Sequence, residues 1–185
     1  MESVINNLVF GLEAWPETGQ ERDFALSPTH LTDILAGRQG HGETLEEGLG
    51  AIPKILTSMR GHVKLRLVGR KLKVKGSFAV KVELLCVRCL APFVSRVNDE
   101  FEDLVTLTEP GQDDDRNFGQ GDDDSAVVIK DGQSFDLAPL MGEFFWLAWP
   151  YKALCREDCA GLCPKCGANL NEGPCYCRSE QPTKH

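Results

Sequence analysis

The cysteine pattern constrains this chain more than any other feature. Its 185 residues include eight cysteines, and six of them lie within 23 residues near the C-terminus. All eight fall into close pairs, which are Cys86 and Cys89, Cys155 and Cys159, Cys163 and Cys166, and Cys175 and Cys177. A Cys-x2-Cys turn followed by glycine directs backbone N–H groups at the sulfurs of a tetrahedral thiolate site. Eight thiolates are the number that two four-cysteine sites need, so two such sites are predicted.

Disulfides, iron–sulfur clusters and dithiol redox centres are the competing explanations of these cysteines. Disulfides predict a secretory leader, whereas the first residues, MESVINNLVFGLEAW, show neither a basic region nor a small-residue cleavage site. The sequence Cys-Pro-Lys-Cys-Gly at 163–167 favours zinc over an iron–sulfur cluster. We therefore interpret the cysteines as ligands of two structural Zn²⁺ ions in a reduced, cytoplasmic protein.

The distribution of the cysteines between the two sites has two readings. In the first, the tail forms a local site from Cys163, Cys166, Cys175 and Cys177. The second site then joins the middle of the chain to the tail through Cys86, Cys89, Cys155 and Cys159. In the alternative reading the pairs interleave, and Cys86 and Cys89 share an ion with Cys163 and Cys166. Either way, four thiolates close the coordination sphere, which is typical of structural metal.

Charge is strongly segregated along the chain. The net charge is −8, but ten lysines and arginines lie between Arg60 and Arg96 against a single acid, Glu83. Eleven acidic residues then lie between Asp99 and Asp124 against one base, Arg116. The mean charge hides both blocks, so it does not exclude an anionic partner.

The basic block also carries the clearest strand pattern. From Leu72 to Cys86 apolar residues alternate with lysines, which predicts a long half-buried strand with a cationic face. A strand over 63–67 precedes it, and a returning strand with a bulge follows Cys89. The Cys86–Cys89 turn is thus predicted at a hairpin tip. The fold class predicted is α+β, dominated by an antiparallel sheet with a long hairpin, one C-terminal amphipathic helix and a Cys-rich zinc module.

The predicted organisation has four parts. Residues 1–59 form an N-terminal segment with a strand over Val4 to Leu12, a short helix capped by Ser27, and a loop over Gly37 to Gly50. Residues 60–150 form the β core, with an acidic linker at 109–124 and a helix at 136–148 capped by Asp136. Residues 151–177 form the zinc module, and residues 178–185 a disordered tail. No apolar run approaches the ~18 residues of a membrane span.

The cationic strand face is the candidate binding surface. Its spacing suits the phosphates of RNA, although a solvated face or pairing with the acidic block of the same molecule would also explain it. The candidate RNA-binding residues are Arg66, Arg70, Lys71, Lys73, Lys75, Lys81 and Arg88. Phosphate loops, zinc-protease motifs and nucleophile elbows are missing from the sequence, which predicts a protein that is not an enzyme and has no small-molecule substrate.

The Cys86-x-Arg88-Cys89-Leu90 turn, the acidic linker, the helix ending before Pro150 and the tail from Leu154 to Cys177 together resemble the bacterial YceD-like family. These are the large ribosomal RNA subunit accumulation proteins, and the resemblance covers about residues 60–177. It implies a non-enzymatic cytoplasmic factor whose partner is a large-subunit rRNA precursor or a ribosomal protein. The alternatives are a redox-switched zinc protein or chaperone, and a pure protein-interaction module.

Overall fold

The structure, a computed structural model, describes residues 8–13, 15–37, 52–69, 71–108, 126–130 and 132–177. Within these ranges the chain forms eight strands and two helices. In chain order they are β1 (Val9–Gly11), β2 (Gln20–Leu26), α1 (Pro28–Gly37), β3 (Lys54–Ile55), β4 (Met59–Val68), β5 (Lys71–Leu85), β6 (Pro92–Thr108), β7 (Ala126–Lys130), β8 (Ser134–Asp136) and α2 (Ala138–Leu147).

The long hairpin of β5 and β6 is the centre of the fold. Its two strands pair antiparallel without a break, from Lys71 opposite Thr106 to Leu85 opposite Pro92. The prediction of a bulge in the returning strand is therefore wrong. It arose from Val94, an apolar residue out of phase with its neighbours, which the structure leaves exposed on the face opposite the core. The hairpin tip, at residues 86–91, lies where the cysteine turn predicted it.

The remaining strands extend the hairpin on both sides into one sheet. The strand order is β1-β8-β7-β6-β5-β4-β2, with β3 pairing β5 beside this path. Every pairing is antiparallel except that of β6 with β7, which is parallel. The prediction of a β-dominated, mostly antiparallel fold is confirmed. Strands β2, β3, β7 and β8 were not predicted, and the acidic connection between β6 and β7 lies outside the described residues.

The two faces of β5 differ as its alternation predicts. One face, called the inner face here, is buried through Leu72, Val74, Phe78, Val80, Val82 and Leu84. The opposite, outer face carries the lysines. Gly76 takes an inner-face position, and a Cβ there would lie 2.8 Å from the ring of Phe101. The glycine thus leaves the space that this ring fills.

Both helices contribute to the core beneath the inner face. The rings of Phe101 and Phe144 stack with centroids 4.2 Å apart, which joins β6 to α2. Helix α1 begins as predicted, since the backbone N–H of His30 donates to Ser27 Oγ over 3.2 Å. Helix α2 begins two residues later than predicted because Asp136 belongs to β8. The Asp136 carboxylate still accepts from the backbone N–H of Ala138, over 2.9 Å.

Several predicted segments lie outside the described residues. These are residues 4–7 of the first predicted strand, the predicted loop beyond Gly37, the acidic linker and the segment 178–185. Within the first predicted strand the structure has β1, and Gly37 ends α1. No helix in the described parts of the chain has the length and apolar character that a membrane crossing requires.

Candidate metal centre

The hairpin tip is a knuckle held by its own backbone. The N–H of Cys86 donates to the carbonyl oxygen of Ala91 over 3.0 Å, and the N–H of Leu90 donates to that of Cys86 over 2.9 Å. Leu90 has φ 58°, in the left-handed region. These bonds close a tight turn that places both cysteine side chains on the same side of the tip.

The cysteine-rich segment at 151–177, called the tail from here on, folds back onto this knuckle. The N–H of Val87 donates to the carbonyl oxygen of Ala153 over 2.9 Å, and the N–H of Leu162 donates to that of Arg88 over 3.2 Å. The Arg88 guanidinium also donates to the carbonyl oxygen of Cys159 over 2.9 Å. These contacts bring the third and fourth cysteines of the chain against the first two.

The resulting cluster, called the tip site here, comprises Cys86, Cys89, Cys155 and Cys159. Two of its sulfur pairs, Cys86 with Cys159 and Cys89 with Cys155, are each separated by 3.7 Å, and all four sulfurs lie within 4.8 Å of one another. Four thiolates around one ion at a metal–sulfur distance of ~2.3 Å have sulfurs ~3.8 Å apart, whereas a disulfide requires ~2.05 Å. The geometry fits one tetrahedral ion and no disulfide.

The second cluster, called the tail site here, lies wholly within the C-terminal module and comprises Cys163, Cys166, Cys175 and Cys177. Its sulfurs also lie within 4.8 Å of one another. The N–H of Gly167 donates to the carbonyl oxygen of Cys163 over 2.8 Å, with Gly167 at φ 71°. The structure thus brings the cysteines together in the first of the two arrangements that the sequence left open. Both clusters could hold metal ions.

The two sites differ in their access to solvent. In the tip site Cys86, Cys89 and Cys159 are buried and Cys155 is half-buried, whereas Cys166 of the tail site is exposed. A buried ion exchanges only when the surrounding structure opens. The tip site is therefore built into the fold, and the tail site lies at its surface.

In each site the surroundings favour ionisation of some cysteines and oppose ionisation of others. Burial opposes ionisation of Cys86, yet backbone N–H groups, first that of Cys155, outweigh it and lower the Cys86 pKa to about 6. Burial and the neighbouring Cys159 thiol raise the pKa of Cys155 to about 12. In the tail site backbone N–H groups lower the pKa of Cys163 to about 6, while contact with Cys166 raises that of Cys177 to about 11. Only a bound cation would let all four sulfurs ionise together.

Asn171 contacts a cysteine of the tip site without being a candidate metal ligand, and the sequence did not predict it. Its side-chain NH₂ donates to Cys159 Sγ over 3.3 Å and to Asn169 Oδ1 over 2.8 Å. Its carbonyl oxygen accepts from the backbone N–H of Ala160 over 2.8 Å. The bond to sulfur lowers the pKa of Cys159. Asn171 thereby orients a tip-site ligand from within the loop of the tail site, a role that an asparagine in a turn does not signal.

The cationic outer face is partly neutralised within the molecule. Glu102 of β6 pairs with Lys73 over 2.6 Å and with Lys75 over 3.1 Å. Arg66 and Lys81 form no ion pair with any residue that the structure describes. Lys71 lies at the start of β5, Arg88 contacts the tail, and Arg70 lies outside the described residues. The predicted pairing of this face with the acidic block is thus present at Glu102, while Arg66 and Lys81 pair with no described acid.

Comparison with known proteins places these features in a family. The family model described as "Large ribosomal RNA subunit accumulation protein YceD" matches residues 74–185, which is more than half of the chain. An uncharacterized protein of Mycobacterium bovis is 29% identical over 119 residues, covering 64% of this chain and 54% of the relative. The chain therefore spans about half the length of that relative.

A plant relative carries a more informative description. It is the "Large ribosomal RNA subunit accumulation protein YCED homolog 1, chloroplastic" of Arabidopsis thaliana. It is 29% identical over 136 residues, covering 62% of this chain and 42% of the relative. No solved structure matches the chain. The region that the family model matches, residues 74–185, contains most of β5, all of β6 and every cysteine.

Proposed function

The chain belongs to the YceD family of large ribosomal RNA subunit accumulation proteins, and on that premise we propose that it supports ribosome biogenesis as a non-enzymatic cytoplasmic factor. The observation that carries this proposal is the family match, because residues 74–185 include the hairpin and both cysteine clusters. We assign the chain the role that the family description names, which is the accumulation of large-subunit rRNA. Its partner would be a precursor of that RNA or a ribosomal protein.

Each cysteine cluster is proposed to bind one Zn²⁺ ion. Sulfur separations of 3.7 Å in the tip site, and sulfurs within 4.8 Å of one another in the tail site, support one ion in each cluster. Zinc is the metal that four thiolates hold without redox chemistry. Because four protein ligands leave no open position, the ions would be structural. They would fix the hairpin tip against the tail and shape the tail itself.

Metal content tests this assignment directly. Purified protein is expected to contain two zinc ions per chain by elemental mass spectrometry, and Cys166→Ser is expected to reduce the content to one. The melting temperature should fall by only a few degrees, because Cys166 is exposed and its site is local. Iron in place of zinc, or loss of both ions from this single variant, would contradict the assignment.

The outer face of β4 and β5 is proposed to contact RNA phosphates. On these two strands the proposed contacts are Arg66, Lys71, Lys73, Lys75 and Lys81, and Arg88 lies in the adjoining hairpin tip. Arg70 belongs to the proposal on the sequence alone, since it lies outside the described residues. Arg66 and Lys81 would contribute most, because no described residue neutralises them, whereas Glu102 holds Lys73 and Lys75. Arg88 would contribute from a side chain already fixed against the tail.

Crosslinking in growing cells tests the functional proposal. RNA joined to the tagged protein by ultraviolet light is recovered under denaturing conditions and sequenced. Reads concentrated on large-subunit rRNA or its precursor are expected. Recovery equal to that from an untagged strain would overturn direct RNA contact.

Salt and charge variants test which cations carry the binding. With about three phosphates neutralised, the affinity for single-stranded RNA should fall about 20-fold between 50 and 200 mM salt, as counterion release predicts. Replacing Arg66 and Lys81 by glutamine should weaken binding more than replacing Lys73 and Lys75, because Glu102 already neutralises the latter pair. Fluorescence anisotropy with a labelled rRNA fragment measures both. Equal losses from the two pairs would contradict this ranking.

A further inference from the structure

The hairpin tip carries a compact apolar surface that the metal site does not use. Four aliphatic side chains within ten residues are largely exposed, and we call them the tip patch: Leu85 63%, Val87 58%, Leu90 61% and Val94 60%. A single exposed leucine or valine is ordinary on a protein surface, but a cluster of this kind marks an interaction site.

The tip patch is continuous across the end of the hairpin. Leu85 and Pro92 are the last paired residues of β5 and β6, and Val94 lies one outer-face position further along β6. Val87 and Leu90 belong to the knuckle that follows directly. Leu85 and Val94 therefore lie on the outer face at the end of the sheet, and Val87 and Leu90 are exposed in the turn beyond them.

The backbone at Leu90 is strained, whereas the residue at the same position of the other Cys-x2-Cys turn is a glycine. Leu90 follows Cys86-x2-Cys89 and has φ 58°, while Gly167 follows Cys163-x2-Cys166 and has φ 71°. Glycine adopts this conformation freely, whereas leucine does so at a cost. Among the described residues Leu90 is the one non-glycine with a positive φ of this kind. The backbone bond of Leu90 could be made equally well by a glycine, so the exposed leucine side chain at this strained position points to a function outside the fold.

The surface is also held rigid. The N–H of Val87 is bonded to the carbonyl oxygen of Ala153, and that of Leu90 to the carbonyl oxygen of Cys86. Cys86 and Cys89, between which Val87 lies, are buried against the tail. A binding surface that is ordered before binding loses less conformational entropy on association.

On the outer face beside Val94, the charged side chains that form no ion pair with described residues are positive. Lys81 and Arg96 lie directly opposite each other on the outer face, next to Val94. Like charges in this position repel each other unless an anion lies between them. The nearby carboxylate, Glu83, is paired with Lys54 over 3.3 Å. The patch is thus an aliphatic centre with a cationic border on the side of the sheet.

We propose that the tip patch docks an acidic, aliphatic-rich segment of a partner protein. The aliphatic side chains of that segment would bury Leu85, Val87, Leu90 and Val94, and its carboxylates would contact Arg96 and Lys81. A protein partner fits better than RNA because the patch has no aromatic ring on which a base could stack. The proposal goes beyond the proposed function and stands whether or not the outer face binds RNA, although Lys81 lies at the boundary of both surfaces.

Site-specific photocrosslinking in cells tests the proposal. A benzophenone amino acid placed at Val87 is expected to give a nuclease-resistant adduct with a protein. Mass spectrometry of the crosslinked peptide should identify a segment rich in acidic and aliphatic residues. The control places the same group at Val9, an exposed valine on the edge strand β1. An adduct destroyed by nuclease, a crosslinked peptide without acidic residues, or a yield no greater than at Val9 would overturn the proposal.

Variants separate docking from folding. Leu90→Gly removes the side chain and the strain together, so the protein should melt at the same temperature or higher while the Val87 adduct falls at least tenfold. Val94→Ser, on the opposite strand, should reduce the adduct several-fold, as should Arg96→Glu. An undiminished adduct in Leu90→Gly would overturn the proposal. RNA crosslinking by the outer face is scored in the same cells, so a failure of RNA binding is recognised separately.

Discussion

Cys159→Ser is expected to empty the tip site and to lower the melting temperature by about 10 °C. Cys159 is almost fully buried, and its sulfur lies 3.7 Å from that of Cys86, 73 residues earlier in the chain. Without the ion, the remaining buried thiolates lose the compensating cation and must take up protons, and the metal bonds that join the tail to the hairpin are lost. Breaking such a site costs about 4 kcal/mol, and for a chain of this size each kcal/mol shifts the melting temperature by about 2–4 °C.

Calorimetry together with metal analysis measures this effect. Cys166→Ser is the matched control, since it removes one thiolate by the same chemical change from the exposed tail site. Both variants should lose one ion, but Cys159→Ser should lower the melting temperature much more than Cys166→Ser. Equal destabilisation by the two variants would mean that the tip site does not join the tail to the sheet.

Gly76→Ala is expected to destabilise the fold by about 3 kcal/mol, because it overpacks the inner face. A Cβ at Gly76 would overlap the carbonyl oxygen of His62 in β4 and lie 2.8 Å from the ring of Phe101. Neither can move freely. His62 belongs to the register of β4 with β5, and the Phe101 ring stacks on Phe144 at 4.2 Å.

Urea unfolding followed by circular dichroism measures the free-energy change. Gly11→Ala is the control, because a Cβ there meets no atom within 4 Å. Its effect should stay within about 0.5 kcal/mol, the range of surface substitutions. A near-neutral Gly76→Ala would show that the sheet relaxes at this position and that β4 and β6 are less tightly held than the packing indicates.

The hairpin was predictable because its signal is local and long. Fifteen residues of alternation specify β5, and two cysteines mark its end. Strands β7 and β8 have five and three residues and carry no comparable pattern. They gain their structure from partners far away in sequence, since β8 pairs with β1. Short strands of this kind depend on tertiary packing more than on their own residues.

Because a bulge was predicted in β6, the ion pairs of Glu102 with the lysines of β5 could not be predicted. Val94 suggested a shift of phase in β6, and a shift leaves the partners of the lysines undetermined. With the unbroken register, Lys75 lies opposite Glu102 and the ion pairs follow. The distribution of the cysteines was likewise undetermined, because it depends on the contact of Val87 with Ala153, which no local pattern encodes.

The long span of the tip site has a consequence for the order in which the protein matures. During synthesis the hairpin and its two cysteines leave the ribosome first and can pair their strands at once. The other two cysteines of the site follow much later, since Cys155 is 66 positions beyond Cys89 and Cys159 lies further still. A nascent chain that stops before Cys155 therefore displays the knuckle with only two of the four cysteines, so the proposed ion could be held only after the segment containing Cys155 and Cys159 has been synthesised.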